Sequence, residues 1–373
     1  MGFTCPYCYD THEVKDCQMR CSHVLKTGDC PDNVPFDGDM FIDRKHYKKC
    51  LSCTRAKKDI YCPETIKSGN PMVVPMRCIN SNGIPIALVG AKASGKSNYI
   101  GALLLDIKKR MTRSFDCSIT MNCNAVSKEQ YDELYYNPLI KEKTQIGTTD
   151  SGQMLPMIFP IDFTSGKQVT LTFYDTAGEN FDSEESMLQY TGYLAHSKGI
   201  ILLIDPLQVP EIREQLEGKI PLPEVNRDAV DILDKVIYNI ESFTNNSKKP
   251  FNMPIALAFT KIDALDGFED ILPADSCLRY DSEHVDRSMF IKEDFENTQR
   301  AMETLLENFI EMNSELNAKL KRFKRYALFG VSALGCIPDE AGRLSPEGLK
   351  SRRVLDPLLW LLAENNYIRT VKK

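Results

Sequence analysis

Residues 90–97 read Gly90-Ala91-Lys92-Ala93-Ser94-Gly95-Lys96-Ser97, the pattern G-x-x-x-x-G-K-[ST]. They follow an apolar run, Ile84 to Val89, suited to a buried strand. They precede Asn98 to Arg113, where Tyr99, Ile100, Leu103, Leu104 and Ile107 recur at helical spacing. Strand, glycine-rich turn and helix in that order make a phosphate-binding loop. The N–H groups of such a turn wrap a phosphate, and the helix N-terminus adds its partial positive charge. Residues Gly90 to Asn98 are therefore the candidate nucleotide cradle. Lys96 is expected to reach the β and γ phosphates, and Ser97 to hold Mg²⁺ through its hydroxyl.

The composition places few limits on what surrounds this loop. The chain has 373 residues, 42% hydrophobic and 26% charged, which fits a soluble globular protein of two or so domains. A formal charge of −6 gives no basic excess for general nucleic-acid binding. No apolar stretch approaches the ~20 residues of a membrane helix. The opening Met-Gly-Phe-Thr-Cys-Pro lacks the basic and apolar regions of a signal peptide, so a cytoplasmic location is the expectation.

The 13 cysteines are unevenly spread. Cys5, Cys8, Cys17, Cys21, Cys30, Cys50, Cys53, Cys62 and Cys78 lie in the N-terminal segment, and Cys117, Cys123, Cys277 and Cys336 are scattered. Clustered thiols in a cytosolic chain argue for metal rather than disulfides. The split predicts a cysteine-rich zinc module over residues 1–80 and a nucleotide domain over 84–370, with Gly69, Pro71, Pro75 and Asn82-Gly83 at the join. Cys5-Pro-Tyr-Cys8 and Cys50-Leu-Ser-Cys53 are C-x-x-C knuckles, and two such knuckles complete a tetrahedral Cys₄ site. Cys17, Cys21, Cys30, Cys62 and Cys78, with His12, His23 and His46, are the pool for a second site. One or two zinc ions are expected, with the ligand pairing open. The segment is sparse in apolar residues, so its folding should depend on the metal.

Downstream, Leu155 to Phe163 and Val169 to Tyr174 read as a strand hairpin across Thr164-Ser165-Gly166-Lys167. The second strand ends in Asp175-Thr176-Ala177-Gly178, a D-x-x-G turn. Its acid suits a Mg²⁺-bound water, and its glycine N–H the γ-phosphate. The chain then alternates. Gly199 to Ile204 reads as a strand, Asp228 to Phe243 as a helix, Pro254 to Phe259 as a strand, Met289 to Phe323 as one long helix, Tyr326 to Val331 as a strand and Val354 to Glu364 as a helix. This pattern implies an α/β fold with a mostly parallel sheet, whose ligand sits at the carboxyl ends of the strands.

Thr260-Lys261-Ile262-Asp263 chooses the base. A carboxylate there accepts from both guanine N1–H and the 2-amino group, whereas adenine leaves it desolvated and unpaired. Lys261 would lay its stem over the purine, and Ser332-Ala333 would offer an N–H to guanine O6.

The ordered set G-x-x-x-x-G-K-S, D-x-x-G, T-K-x-D and S-A resembles the Ras-like, translation-factor-related class of GTPases over roughly residues 84–370. With the cysteine-rich head, V-G-A-K-A-S-G-K-S-N-Y-I and P-L-L-W-L-L, the chain is similar to the bacterial "double-GTPase" group of multi-gene GTPase-associated systems, for which a defence role is suspected. The resemblance implies a six-stranded sheet with one antiparallel strand, Mg²⁺-dependent binding of GTP or GDP, two switch segments, and a protein partner or second GTPase. The implied Mg²⁺ ligands are Ser97, Asp175 and one of Thr148 and Thr149, and the residues implied for hydrolysis are Lys96, Gly178 and Glu179.

Glu179 stands where the class usually has the glutamine that orients the attacking water, so turnover should be slow or partner-dependent. A pseudo-GTPase scaffold and a zinc-headed nucleic-acid-binding NTPase remain alternatives, and T-K-x-D argues against an ATP-driven enzyme. His196, His284 and Trp360 read as packing or surface residues. The basic run Lys319 to Arg325 reads as a helix end complementing its dipole.

Overall fold

A computed structural model of the protein describes residues 2–8, 10–21, 58–67, 72–79, 84–91, 94–121, 129, 131–147, 157–173, 193–225, 229–244 and 249–372. The apolar runs of the sequence form strands. The head, poorer in apolar residues, adds the short strands β1 (Gly2–Thr4), β2 (Thr11–Glu13), β3 (Gln18–Cys21) and β4 (Lys58–Tyr61). The larger part holds β5 (Ile84–Gly90), β6 (Cys117–Ile119), β7 (Met157–Phe163), β8 (Gln168–Phe173), β9 (Gly199–Ile204), β10 (Ile255–Phe259), β11 (Phe290–Ile291) and β12 (Tyr326–Gly330). β13 (Thr370–Val371) pairs with β11.

The central sheet has the order β12-β10-β9-β5-β8-β7-β6. Neighbours from β12 to β8 are parallel, while β7 runs antiparallel to β8 and to β6. Among the described residues it has seven strands rather than six, because Cys117–Ile119 adds an edge strand against Ile161–Phe163. β7 remains the one strand of opposite sense. The β7–β8 turn forms at Thr164-Ser165-Gly166-Lys167, with Gly166 at φ 82°.

Strand alternation divides the core into two clusters. Ile86 and Leu88 of β5 face one way with Leu203 and Phe329, against α1 (Lys96–Asp106). Ala87 and Val89 face the other way with Leu202 and Leu257, against α2 (Ala229–Thr244). The strands are buried on both faces, as parallel sheets require. The long helix predicted from Met289 to Phe323 is two helices, α3 (Lys292–Glu307) and α4 (Ile310–Leu320). The break falls at Phe309, whose backbone leaves the helical region (φ −128°, ψ 76°) and whose ring is fully buried. A further helix, Asp132–Glu142, runs through Pro138 instead of ending before it. Its π-type turns accommodate the ring, and Lys143 closes it in the left-handed region.

The last helix, α5 (Asp356–Glu364), anchors Trp360 against Phe295 and Phe329, as expected of a core residue. The basic run is also structural. Lys319 pairs with Asp234, Arg322 with Glu241, and Arg325 with Glu364 at 3.0 Å. Among the described residues no helix is long and apolar enough to cross a membrane.

Candidate functional site

β5 delivers the chain to the phosphate loop at Gly90. A Cβ there would lie 2.5 Å from Ser94 Oγ and 3.1 Å from Leu203 Cβ, so the turn folds back too tightly for a side chain. Gly95 caps α1 at φ 78°, a left-handed conformation open to glycine. Lys96 follows, nearly buried, with Ser97 and Asn98 half-buried on the first turn of the helix. Asn98 Oδ1 accepts from the Ile146 N–H at 2.9 Å, which ties the loop to the segment preceding Thr148 and Thr149. The Ser94 hydroxyl is buried and has no hydrogen-bond partner among the described residues.

The end of β10 is bolted to this loop. The Thr260 hydroxyl lies 2.8 Å from the Ser94 carbonyl and 3.1 Å from that of Ile204. Lys261 sits in the left-handed region (φ 52°), and its Nζ donates to Asp205 Oδ2 at 2.6 Å. Asp205, buried at the end of β9, also accepts from the Leu207 N–H at 2.9 Å. Burial pushes the Asp263 carboxyl above the usual carboxylate range, opposed by a hydrogen bond from Ser332. The Ile262 N–H donates to the Val331 carbonyl at 3.2 Å, joining the T-K-x-D and S-A segments.

One cavity of about 300 Å³ gathers these groups: Gly95 and Asn98 from α1, Thr260, Lys261 and Asp263 from β10, and Ala333 after β12. Its donors, acceptor and adjoining phosphate loop fit a guanine nucleotide. Sequence reasoning missed its other walls. Leu207 and the stretch Ile220-Pro221-Leu222-Pro223 give an apolar side, and Gln145, Cys336 and Ile337 line the rest. Arg213 holds the apolar side, donating to the carbonyls of Leu207 at 2.8 Å and Pro223 at 2.9 Å. No motif marks these residues, because their role depends on a loop returning from a distant part of the chain. Lys92, Ala93, Thr148, Thr149, Asp175, Gly178 and Glu179 lie outside the described residues.

The head brings a second constellation together. Cys5 and Cys8 occupy the turn between β1 and β2, His12 lies on β2 opposite Phe3, and Cys62 follows β4. Cys8 Sγ is 3.0 Å from His12 Nε2 and 3.4 Å from Cys62 Sγ. The four ligand atoms lie within 4.8 Å of one another, the size of a Cys₃His metal site. Hydrogen bonding with Cys5 and Cys8 holds the Cys62 thiol below its ordinary value, while burial first, then hydrogen bonding with Cys62 and Cys8, pushes Cys5 up.

Among the described residues the first knuckle, Cys5 and Cys8, gathers with His12 and Cys62 from the wider pool, and Cys17 is not in the group; its thiol lies 3.6 Å from the Glu13 carbonyl. Cys30, Cys50 and Cys53, His23 and His46 fall outside the described residues, as does the Cys21 side chain. The spacing C-x-x-C-x-x-x-H was the readable signal for His12.

A second group of possible metal ligands, His284, Asp294 and Asp356, is already engaged. Arg353, buried, forks onto both Asp294 oxygens at 3.1 Å and reaches Asp356 Oδ2 at 2.8 Å. His284 Nδ1 accepts from the Ile291 N–H at 3.0 Å, and its ring stacks on Phe290 at 4.6 Å. It is a packing residue.

The chain is 26% identical over 297 residues to SaeC of Mycolicibacterium smegmatis, whose suggested role is ESX-1 scaffolding and assembly, covering 75% of this chain and 74% of that protein. Among solved structures, the GTP-bound S. cerevisiae Ski7 GTPase-like domain matches at 14% identity and TM-score 0.37, over 76% of this chain and 50% of that one. A bacterial selenocysteine-specific elongation factor, EF-Sec, matches at 15% and 0.28, over 67% of this chain and 26% of that one. The chain thus spans half or less of the length of these two structures. The family profile of Double-GTPase 2 matches residues 84–315, more than half of the chain and the whole path from β5 through the T-K-x-D segment. The chain belongs to the Double-GTPase 2 family.

Proposed function

We propose that this protein is a Mg²⁺-dependent guanine-nucleotide switch that hydrolyses GTP slowly or with a partner's help. The observation that carries the reading is the convergence of Gly95, Asn98, Thr260, Lys261, Asp263 and Ala333 on one cavity. Asp263 would read guanine N1–H and the 2-amino group, Lys261 would cover the purine, and the Ala333 N–H would serve O6. Lys96 would neutralise the β and γ phosphates, and Ser97 would hold Mg²⁺ with Asp175 and Thr148 or Thr149. Mg²⁺ supplies charge neutralisation as the γ-phosphoryl leaves. GTP would order the segments around Thr148/Thr149 and Gly178-Glu179, and hydrolysis would release them toward a protein partner or a second GTPase. The suggested scaffolding role of SaeC supports a protein partner.

In the same reading residues 1–80 form a zinc-stapled head and 84–370 the nucleotide domain. Cys5, Cys8, His12 and Cys62 would take one Zn²⁺. A second reading, a pseudo-GTPase that binds without turnover, is favoured by Glu179 in place of glutamine. Equilibrium binding of GTP and ATP in Mg²⁺, with turnover by the intact chain and by Lys96→Ala, separates them. ATP binding that GTP does not displace overturns the guanine assignment. Tight GTP binding with no Lys96-dependent turnover selects the pseudo-GTPase.

A further inference from the structure

The β7–β8 hairpin is flanked by the proposed Mg²⁺ ligands: Thr148 and Thr149 precede β7 and Asp175 follows β8. Met157, Phe159, Ile161 and Phe163 of β7 enter the cluster on the α1 side of the sheet. By strand alternation Ile158, Pro160 and Asp162 point the other way. Ile158 is fully buried there, but not against α2. It belongs to the apolar cluster of the head, with Phe3, Cys5, Ile60, Cys62, Val74 and Ile79. Asp162, on the same face, pairs with Arg77 of the short helix Met76–Ile79. The head therefore covers a face of the nucleotide domain. Two of the four candidate metal ligands, Cys5 and Cys62, share a cluster with the strand they cover.

We propose that metal occupancy at Cys5, Cys8, His12 and Cys62 regulates guanine-nucleotide binding, the head clamping the outer face of β7; this rests on the nucleotide and zinc readings above. The head has a small apolar cluster and short strands, so its order depends on a cross-link between the β1–β2 turn and the end of β4. Without the metal those two points separate and Ile158 loses its apolar cover. β7 is hydrogen-bonded to β8 from Met157 opposite Phe173 to Asp162 opposite Gln168. A loosened β7 therefore displaces β8, the strand that precedes Asp175 in sequence. Linkage makes the effect reciprocal: a nucleotide that orders the hairpin holds the metal more tightly.

The test uses the full chain at constant Mg²⁺. Elemental analysis gives the zinc content, and a fluorescent GDP gives the dissociation rate before and after a zinc-selective chelator and after Zn²⁺ is restored. The expected result is one zinc per chain and nucleotide release faster by about fivefold or more on zinc removal, reversed by Zn²⁺. Zinc release into the chelator, followed with and without saturating GTP, reads the same coupling in protein that starts intact, and GTP should slow it. Arg77→Ala, which leaves every metal ligand in place, should speed nucleotide release with zinc still bound. One zinc per chain with both cross-effects absent overturns the coupling and spares the zinc reading. No zinc in protein that binds GTP overturns the zinc reading and this proposal with it, and leaves the nucleotide reading standing.

Discussion

Lys261 Nζ lies 2.6 Å from Oδ2 of Asp205, a carboxylate at the end of the neighbouring strand that is buried to 1% side-chain exposure. The pair joins the ends of β9 and β10 beside the cavity that Lys261 lines, and Asp205 also accepts from the Leu207 N–H. Asp205 thus fixes where the lysine stem can lie.

Asp205→Asn keeps an acceptor for Leu207 and removes the charge. Affinity for GTP and GDP should fall together, by about tenfold or on the order of 1.4 kcal/mol, since the loss is on the base side. Titration calorimetry with both nucleotides checks it. A loss confined to GTP would place the effect at the γ-phosphate instead.

The proposed guanine recognition needs Asp263 ionised, and burial raises its pKa. GTP affinity should fall as the pH drops through this raised value, earlier than for an ordinary aspartate. The stability contribution has the opposite sign. The folded state takes up this proton before the unfolded state does, so the burial cost present above the raised pKa disappears on acidification. Binding titrations against pH, compared with Asp263→Asn and a xanthine nucleotide, isolate the step: the variant should lack it.

Arg353→Ala removes the one guanidinium shared by Asp294 and Asp356 and leaves two carboxylates in the interior. A buried pair broken from one side costs about 3–5 kcal/mol. Denaturant unfolding of the nucleotide-free chain should show a drop of that order, and a change under 1 kcal/mol would mean that water reaches the site.

Gly335 closes the loop that begins at Ser332 and Ala333, with φ 74° and its N–H on Ser332 Oγ at 2.9 Å. A Cβ there would lie 2.1 Å from the Lys350 carbonyl oxygen. Gly335→Ala must move backbone as well as adopt the left-handed conformation, itself costing about 1–2 kcal/mol. Guanine affinity and melting temperature should both fall, whereas Gly348→Ala, with a similar φ of 82° and open space around it, should lower stability alone.

Much of the nucleotide end was legible because its signals are local. Gly90 to Ser97 needs a strand before it and a helix after it, and Thr260 to Asp263 needs the end of a buried strand; apolar periodicity supplies both. The misreadings were also local. A π-type turn carries a helix through Pro138, where a proline ordinarily ends one, and Phe309 breaks the helical pattern of Met289 to Phe323 with its ring buried. Neither outcome is written in residue spacing.

By itself, the sequence determined the order of the phosphate loop, D-x-x-G, T-K-x-D and S-A, and with it the parallel sheet and the proposal that Asp263 reads guanine. These follow from short-range geometry and from periodicity. The tertiary structure alone decided that Asp205 takes Lys261, that His12 and Cys62 gather beside Cys5 and Cys8, and that the head covers Ile158. Each joins parts of the chain whose meeting is set by packing, and packing depends on the shape of every surface brought together.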